Sequence, residues 1–187
     1  LIQGKEFVSI SAPNGHQLLE KGNPDLPILR KSIIISDDKA VSYRILQSDY
    51  ITQNMLSIAP SKGNFTRNID PTTVGYTFSD IYRTDEFYPN SNFSLSSPYV
   101  IRDLRGVTMQ YNPIQYNAIQ KTLKVCTRLV VEVYNDNNRT AENPLIRNNT
   151  FKGVSKEFND VYQTLFANYG SEGLEYNFIP EPGRLLI

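Results

Sequence analysis

Apolar side chains recur at every second position along most of this chain, in short runs closed off by Gly, Pro, Asn and Asp. That spacing predicts strands with one covered and one wet face. Phe7-Val8-Ser9-Ile10, Ile28 to Ser36 and Val41 to Leu46 are three such runs. Tyr99 to Tyr111 reads as one long extended element able to bend at Gly106. Leu123 to Tyr134 is its counterpart, with Leu123, Val125, Thr127, Leu129, Val131 and Val133 on one face. Between the two, Tyr116 to Lys121 reads as a turn, and Pro113, which lacks an N–H donor, limits the edge before it.

A single segment changes period. Val154, Phe158, Val161, Tyr162, Leu165, Phe166 and Tyr169 recur at helical intervals, with Ser155 placed to cap the start and Gly170 to end it. Ser171 to Gly183 then carries Gly and Pro without a core pattern and reads as a linker. The predicted class is therefore mainly β, an antiparallel β-sandwich with one C-terminal α-helix. Residues 1–170 form the sandwich and helix. Residues 171–187 are expected to be a linker and the first strand of a following domain, since Pro182-Gly183-Arg184-Leu185-Leu186-Ile187 stops at the start of an apolar run. Leu1 is not Met, and no charged-then-apolar leader follows it, so the sequence reads as a piece of a longer chain.

Charge narrows the partners. Nineteen basic residues balance nineteen acidic ones, which leaves no net basic field for nucleic acid or for an anionic membrane surface. No apolar run approaches the roughly 18 residues of a membrane-spanning helix. Neither partner is expected. Four Asn-x-Ser/Thr sequons, at Asn64, Asn92, Asn138 and Asn148, leave glycosylation open.

Catalytic chemistry finds little purchase. The one histidine, His16, sits in the turn-like Pro13-Asn14-Gly15-His16, and the one cysteine, Cys126, lies mid-strand and opposite the main apolar face. No Gly-rich elbow or helix start is placed to activate that thiol, so the pair reads as a surface histidine and a strand cysteine. One Cys and one His do not make a structural zinc site, and no phosphate-cradling loop is present. Asp37-Asp38 offers carboxylates that an ion could use, or is simply a solvated turn. No metal or cofactor is expected.

Several stretches resemble the propeptide of gingipain-type peptidases, the C25 cysteine-peptidase family. They are Glu20 to Ser32, Ile58-Ala59-Pro60-Ser61-Lys62-Gly63, Phe87-Tyr88-Pro89, Ser97 to Gly106, Asn112 to Asn117, Lys121 to Lys124, Val130 to Val133 and Asn149 to Gly153 ahead of the helix. The blocks keep the family's order over about residues 17 to 170, and the nearest likeness is to the Arg-specific branch. The resemblance implies a non-catalytic prodomain, secreted or surface-directed in a bacterium by way of the periplasm. Such a prodomain assists folding of its own peptidase and inhibits it until the connection is cut. It also implies that a basic residue on the loop after Ala-Pro-Ser-Lys-Gly enters the peptidase's specificity pocket. Here that residue is Arg67, within the contacting loop Asn64, Phe65, Thr66, Arg67 and Asn68, with Lys62 as the competing cation. The expected partner is the cognate catalytic domain. One departure stands out: Tyr169 to Tyr176, where Arg-specific relatives close the prodomain with arginine, holds no basic residue. A structural or adhesion sandwich of a surface protein is the alternative.

Overall fold

The structure is a computed structural model that describes residues 1–54, 57–146 and 154–170. The linker and following strand expected over 171–187, the sequon at Asn148 and the block at 149–153 lie outside the described residues. Among the described residues eight strands run in order: β1 (His16–Gln17), β2 (Pro27–Ile34), β3 (Ala40–Asn54), β4 (Phe93–Leu95), β5 (Tyr99–Ile101), β6 (Leu104–Tyr111), β7 (Ile114–Asn117) and β8 (Thr122–Asp136). One α-helix, α1 (Lys156–Leu165), follows. One sheet has the order β1-β2-β6-β4 with β5 added on β6; the other is β3-β8-β7. The expected class holds: antiparallel sheets and a single C-terminal helix.

The chain divides into two compact units, one of residues 1–30, 44–94 and 110–132, the other of 31–43, 95–109 and 133–187. In the first, Leu26, Ile58, Tyr88, Tyr116 and Leu123 form the buried core, with Val8, Ile10, Leu18 and Val125 packed on it. Residues beside β2 thus share one core with residues of β7 and β8. Pairing of Ile114 with Val125 and Asn117 with Thr122 sets the β7–β8 register. The turn between them covers residues 118–121, narrower than the periodicity suggested, because Asn117 Oδ1 accepts from the Ile119 and Gln120 amides and starts it late.

In the second unit, Leu104, Val154, Tyr162 and Phe166 are buried, and Tyr99, Ile101, Phe158 and Tyr169 pack against them. Two expectations need correction here. Tyr99 to Tyr111 is not one strand bending at Gly106. The chain reverses at Arg102, where φ is 49°, and Asp103, so that Tyr99 pairs with Gly106 and Ile101 with Leu104. Arginine at a positive φ carries no sequence signal of the kind glycine or asparagine gives. Gly106 is present for space instead: an added Cβ would stand 2.5 Å from Phe166 Cε1 and 3.0 Å from the Ile33 carbonyl. The helix is also shorter than its periodicity. Phe166 leaves it in an extended conformation, bridging Ser32 as a strand residue would, and the Ala167 amide donates to the Ser32 carbonyl. Apolar spacing carries on past the helix because the following residues still face the same core. Ser155 occupies the capping position without making a side-chain cap.

Phe7 to Ile10 is likewise reduced to a single bridge, Val8 to Ile58. β3, by contrast, runs to Asn54, well past Leu46.

Candidate functional site: the loop between Ser61 and Ser79

The segment from Lys62 to Phe78 leaves and rejoins the first unit at one residue, Gly22. The Gly22 amide donates to the Ser61 carbonyl at 2.9 Å, and the Ser79 amide donates to the Gly22 carbonyl at 2.9 Å. Ser61 is buried, its amide bonded to the Asn23 carbonyl at 2.8 Å and its hydroxyl accepting from the Gly63 amide at 3.1 Å. Gly63 has φ +98°, a conformation that favours glycine, and a Cβ there would approach Lys21 Cβ at 3.1 Å. At the far end Phe78 lies against Phe7 and edge-on to Tyr82.

Within this frame the two candidate cations have different fates. Lys62 is committed: its ammonium donates to the Pro71 carbonyl at 2.7 Å and lies 4.7 Å from the centre of the Tyr76 ring. Arg67 is exposed, in a turn, and makes no hydrogen bond or ion pair among the described residues. The bonds around it are local and straddle it. Thr66 Oγ1 donates to Asn68 Oδ1, and the Ile69 amide donates to the Thr66 carbonyl at 3.0 Å. Asn64, Thr66 and Asn68 are exposed with it, and Phe65 is half-buried. Asp70 closes the turn by accepting from the Thr72 amide and hydroxyl, both at 2.8 Å. Those two donors, with the Lys62 ammonium behind them, hold the Asp70 carboxyl below its usual range.

Sequence reasoning found this loop through its Gly, Asn and Pro. It missed the Lys62–Pro71–Tyr76 clamp and the Gly22 anchor, because both depend on contacts through space.

The other candidates have structural roles or none. His16 is exposed on β1. Cys126 is buried, not on a wet face; its thiol donates to the Arg128 carbonyl at 3.3 Å. Beside it Asn92, also buried, donates to the Tyr50 hydroxyl at 2.6 Å, which withdraws that sequon from solvent, whereas Asn64 and Asn138 remain exposed. In the second unit the turn of Asp37 and Asp38 is organised by a cation of the chain itself. The Arg105 guanidinium, without solvent exposure, donates to the carbonyls of Ser36, Lys39, Glu142 and Asn143. Among the described residues no group of three or more carboxylate, imidazole or thiol side chains is placed to hold a metal ion.

Comparison with known proteins gives these observations a setting. The family model described as Propeptide_C25 matches residues 2–173. Gingipain R2 of Porphyromonas gingivalis is 35% identical over 177 residues, covering 92% of this chain and 23% of the relative. Lys-gingipain of the same species is 23% identical over 196 residues, covering 99% and 11%. The chain therefore spans about a quarter or less of the length of these curated relatives. Among solved structures, a chain of the complex of Porphyromonas gingivalis RgpB pro- and mature domains superposes with a TM-score of 0.72 at 33% identity, over 83% of this chain and 76% of that one. A structure described as bearing on the zymogenic latency of gingipain K has a TM-score of 0.62 at 21% identity, over 70% and 75%, and shares the fold.

Proposed function

We propose, from the premise that this chain belongs to the Propeptide_C25 family, that it holds its cognate C25 peptidase latent by placing Arg67 in the active-site cleft. The chain is a propeptide and not itself a peptidase, and that membership displaces the adhesion alternative. The complex of RgpB pro- and mature domains supports a catalytic domain as the partner. In this reading the propeptide also assists folding of that domain and travels with it through the periplasm toward the bacterial surface.

One observation carries the assignment. Of the two cations on the loop, Lys62 is spent within the loop, and Arg67 is exposed and without a partner among the described residues. A guanidinium presents five donors in a fork that fits a carboxylate bidentately, and a pair of this kind gains most where water is excluded. Both ends of the loop are anchored at Gly22, so part of its ordering cost is met before docking.

Addition of the purified chain to its cognate catalytic domain is the direct test. Inhibition at micromolar concentration or below is expected, and unchanged peptidase activity overturns the reading. Arg67→Ala is expected to weaken inhibition at least roughly thirtyfold, as truncation of a central charged anchor does. Arg67→Lys, which keeps the charge and loses the fork, should fall between. Full inhibition by Arg67→Ala would remove the anchor assignment alone.

A further inference from the structure

A loop that offers arginine to an arginine-accepting cleft is a substrate unless something stops its cleavage, and the clamp across this loop supplies a physical reason. We infer that Lys62 is a positioning residue that keeps the Arg67–Asn68 bond from being hydrolysed while the loop occupies the cleft. This inference rests on the reading of Arg67 given above.

The contacts fall on the two sides of that bond. Lys62 precedes it, whereas Pro71 and Tyr76, which Lys62 grips, follow it. Thr66 precedes it, and its hydroxyl and carbonyl bind Asn68 and the Ile69 amide beyond. Attack by the peptidase's cysteine thiolate on the Arg67 carbonyl forms a C–S bond and breaks the C–N bond to Asn68, with a proton passing to the departing amine. Completion requires that amine to move off so that water can take its place; water then gives hydroxyl to the Arg67 carbonyl carbon and a proton back to sulfur. A segment held by Lys62 at Pro71 and Tyr76 keeps the Asn68 amine beside the thioester. Return of its lone pair to the carbonyl then restores the peptide bond and expels the thiolate.

The clamp is suited to this use because it is independent of the anchor. Lys62 follows buried Ser61, fixed to the body of the unit through Asn23 and Gly22, so its grip on Pro71 ties the leaving segment to the core. Only the eight residues between Lys62 and Pro71 remain outside that tie.

The test uses the full chain with its cognate catalytic domain and two readouts: the initial inhibition constant, and the rate of cutting between Arg67 and Asn68 followed by intact-mass spectrometry. Lys62→Met keeps the aliphatic stem and loses both the hydrogen bond and the ring contact. It is expected to inhibit at first within about threefold of wild type and to be cut about tenfold faster or more, the loss of one charge-assisted contact. Lys62→Arg, able to reach the same carbonyl and stack on the same ring, should restore the wild-type lifetime. Tyr76→Leu removes one half of the clamp and should shorten the lifetime less, and it serves as the test variant should Lys62→Met fail to fold. Equal lifetimes for wild type and for the folded clamp variants overturn the inference while leaving inhibition by Arg67 intact. Wild type that neither inhibits nor persists overturns both.

Discussion

Arg105 has no solvent exposure and is surrounded by four carbonyl oxygens, so its guanidinium holds two stretches of chain, Ser36 to Lys39 and Glu142-Asn143, by charge-assisted bonds. Replacement by Met fills much of the volume but strands those acceptors, and each buried polar group left unmade is costly. Arg105→Met should lower stability by roughly 3 kcal/mol or more in urea unfolding, with Arg105→Lys intermediate, since one ammonium cannot reach all four carbonyls. A loss below about 1 kcal/mol would mean that water replaces the guanidinium. Asp25 behaves in the opposite sense. Its Oδ1 is buried without a partner among the described residues, and burial pushes its carboxyl pKa up. A folded pKa above the unfolded one means that the native state binds more protons between the two values. Stability contributed by this group is therefore full at acid pH and declines as pH rises through the folded pKa. Asp25→Asn should raise the unfolding free energy at pH 7 by under about 1 kcal/mol, since the group is only partly buried. The advantage should shrink on acidification, and a constant difference across pH would remove the carboxylate as its cause.

At the level of elements, α1 shows how tertiary contact sets what sequence period leaves open. Tyr162 is wholly buried among Phe158, Phe166 and Tyr169, and its hydroxyl lies 3.4 Å from the Ile101 carbonyl and from the Asp103 carboxylate, both long for hydrogen bonds. The ring, not the hydroxyl, carries the contribution. Tyr162→Ala should cost about 3–5 kcal/mol and Tyr162→Phe under about 1 kcal/mol by denaturant titration. If the two cost the same, the hydroxyl matters more than its geometry allows. The helical period of these residues was legible in the sequence, but the exit at Phe166 was not, because extended Phe166 still buries its ring on the face the helix covers. The β5–β6 reversal was hidden for the complementary reason. No Gly, Pro or Asn interrupts Tyr99 to Arg105, and the turn falls on Arg102, whose guanidinium lies 4.3 Å from the centre of the Phe158 ring. Local patterning specifies what each side chain wants to face, and where the chain turns is decided by which partner lies there. The loop of Arg67 sits between these cases. Its Gly, Asn and Pro announced a loop, and its family blocks singled out the arginine, but the grip of Lys62 on Pro71 follows from folding alone.

Over the whole molecule the charges cancel, nineteen against nineteen, so no net charge draws the chain toward a partner from a distance. Complexes that lack such steering associate at about 10⁵–10⁶ M⁻¹s⁻¹ and lose little rate as salt rises, whereas steered pairs slow steeply. If Arg67 acts as a short-range anchor within a dry cleft, its charge belongs to the dissociation step, because it is felt only after the surfaces meet. Association with the cognate catalytic domain, followed by surface plasmon resonance, should therefore slow by less than about threefold between about 0.05 and 0.5 M salt. Arg67→Ala should raise the dissociation rate by most of its affinity loss and leave association nearly unchanged. The two measurements separate two origins of binding. A tenfold fall in association with salt would place the recognition in a charged patch that net neutrality conceals. An Arg67→Ala effect confined to association would make that arginine part of the patch rather than the group that closes the cleft.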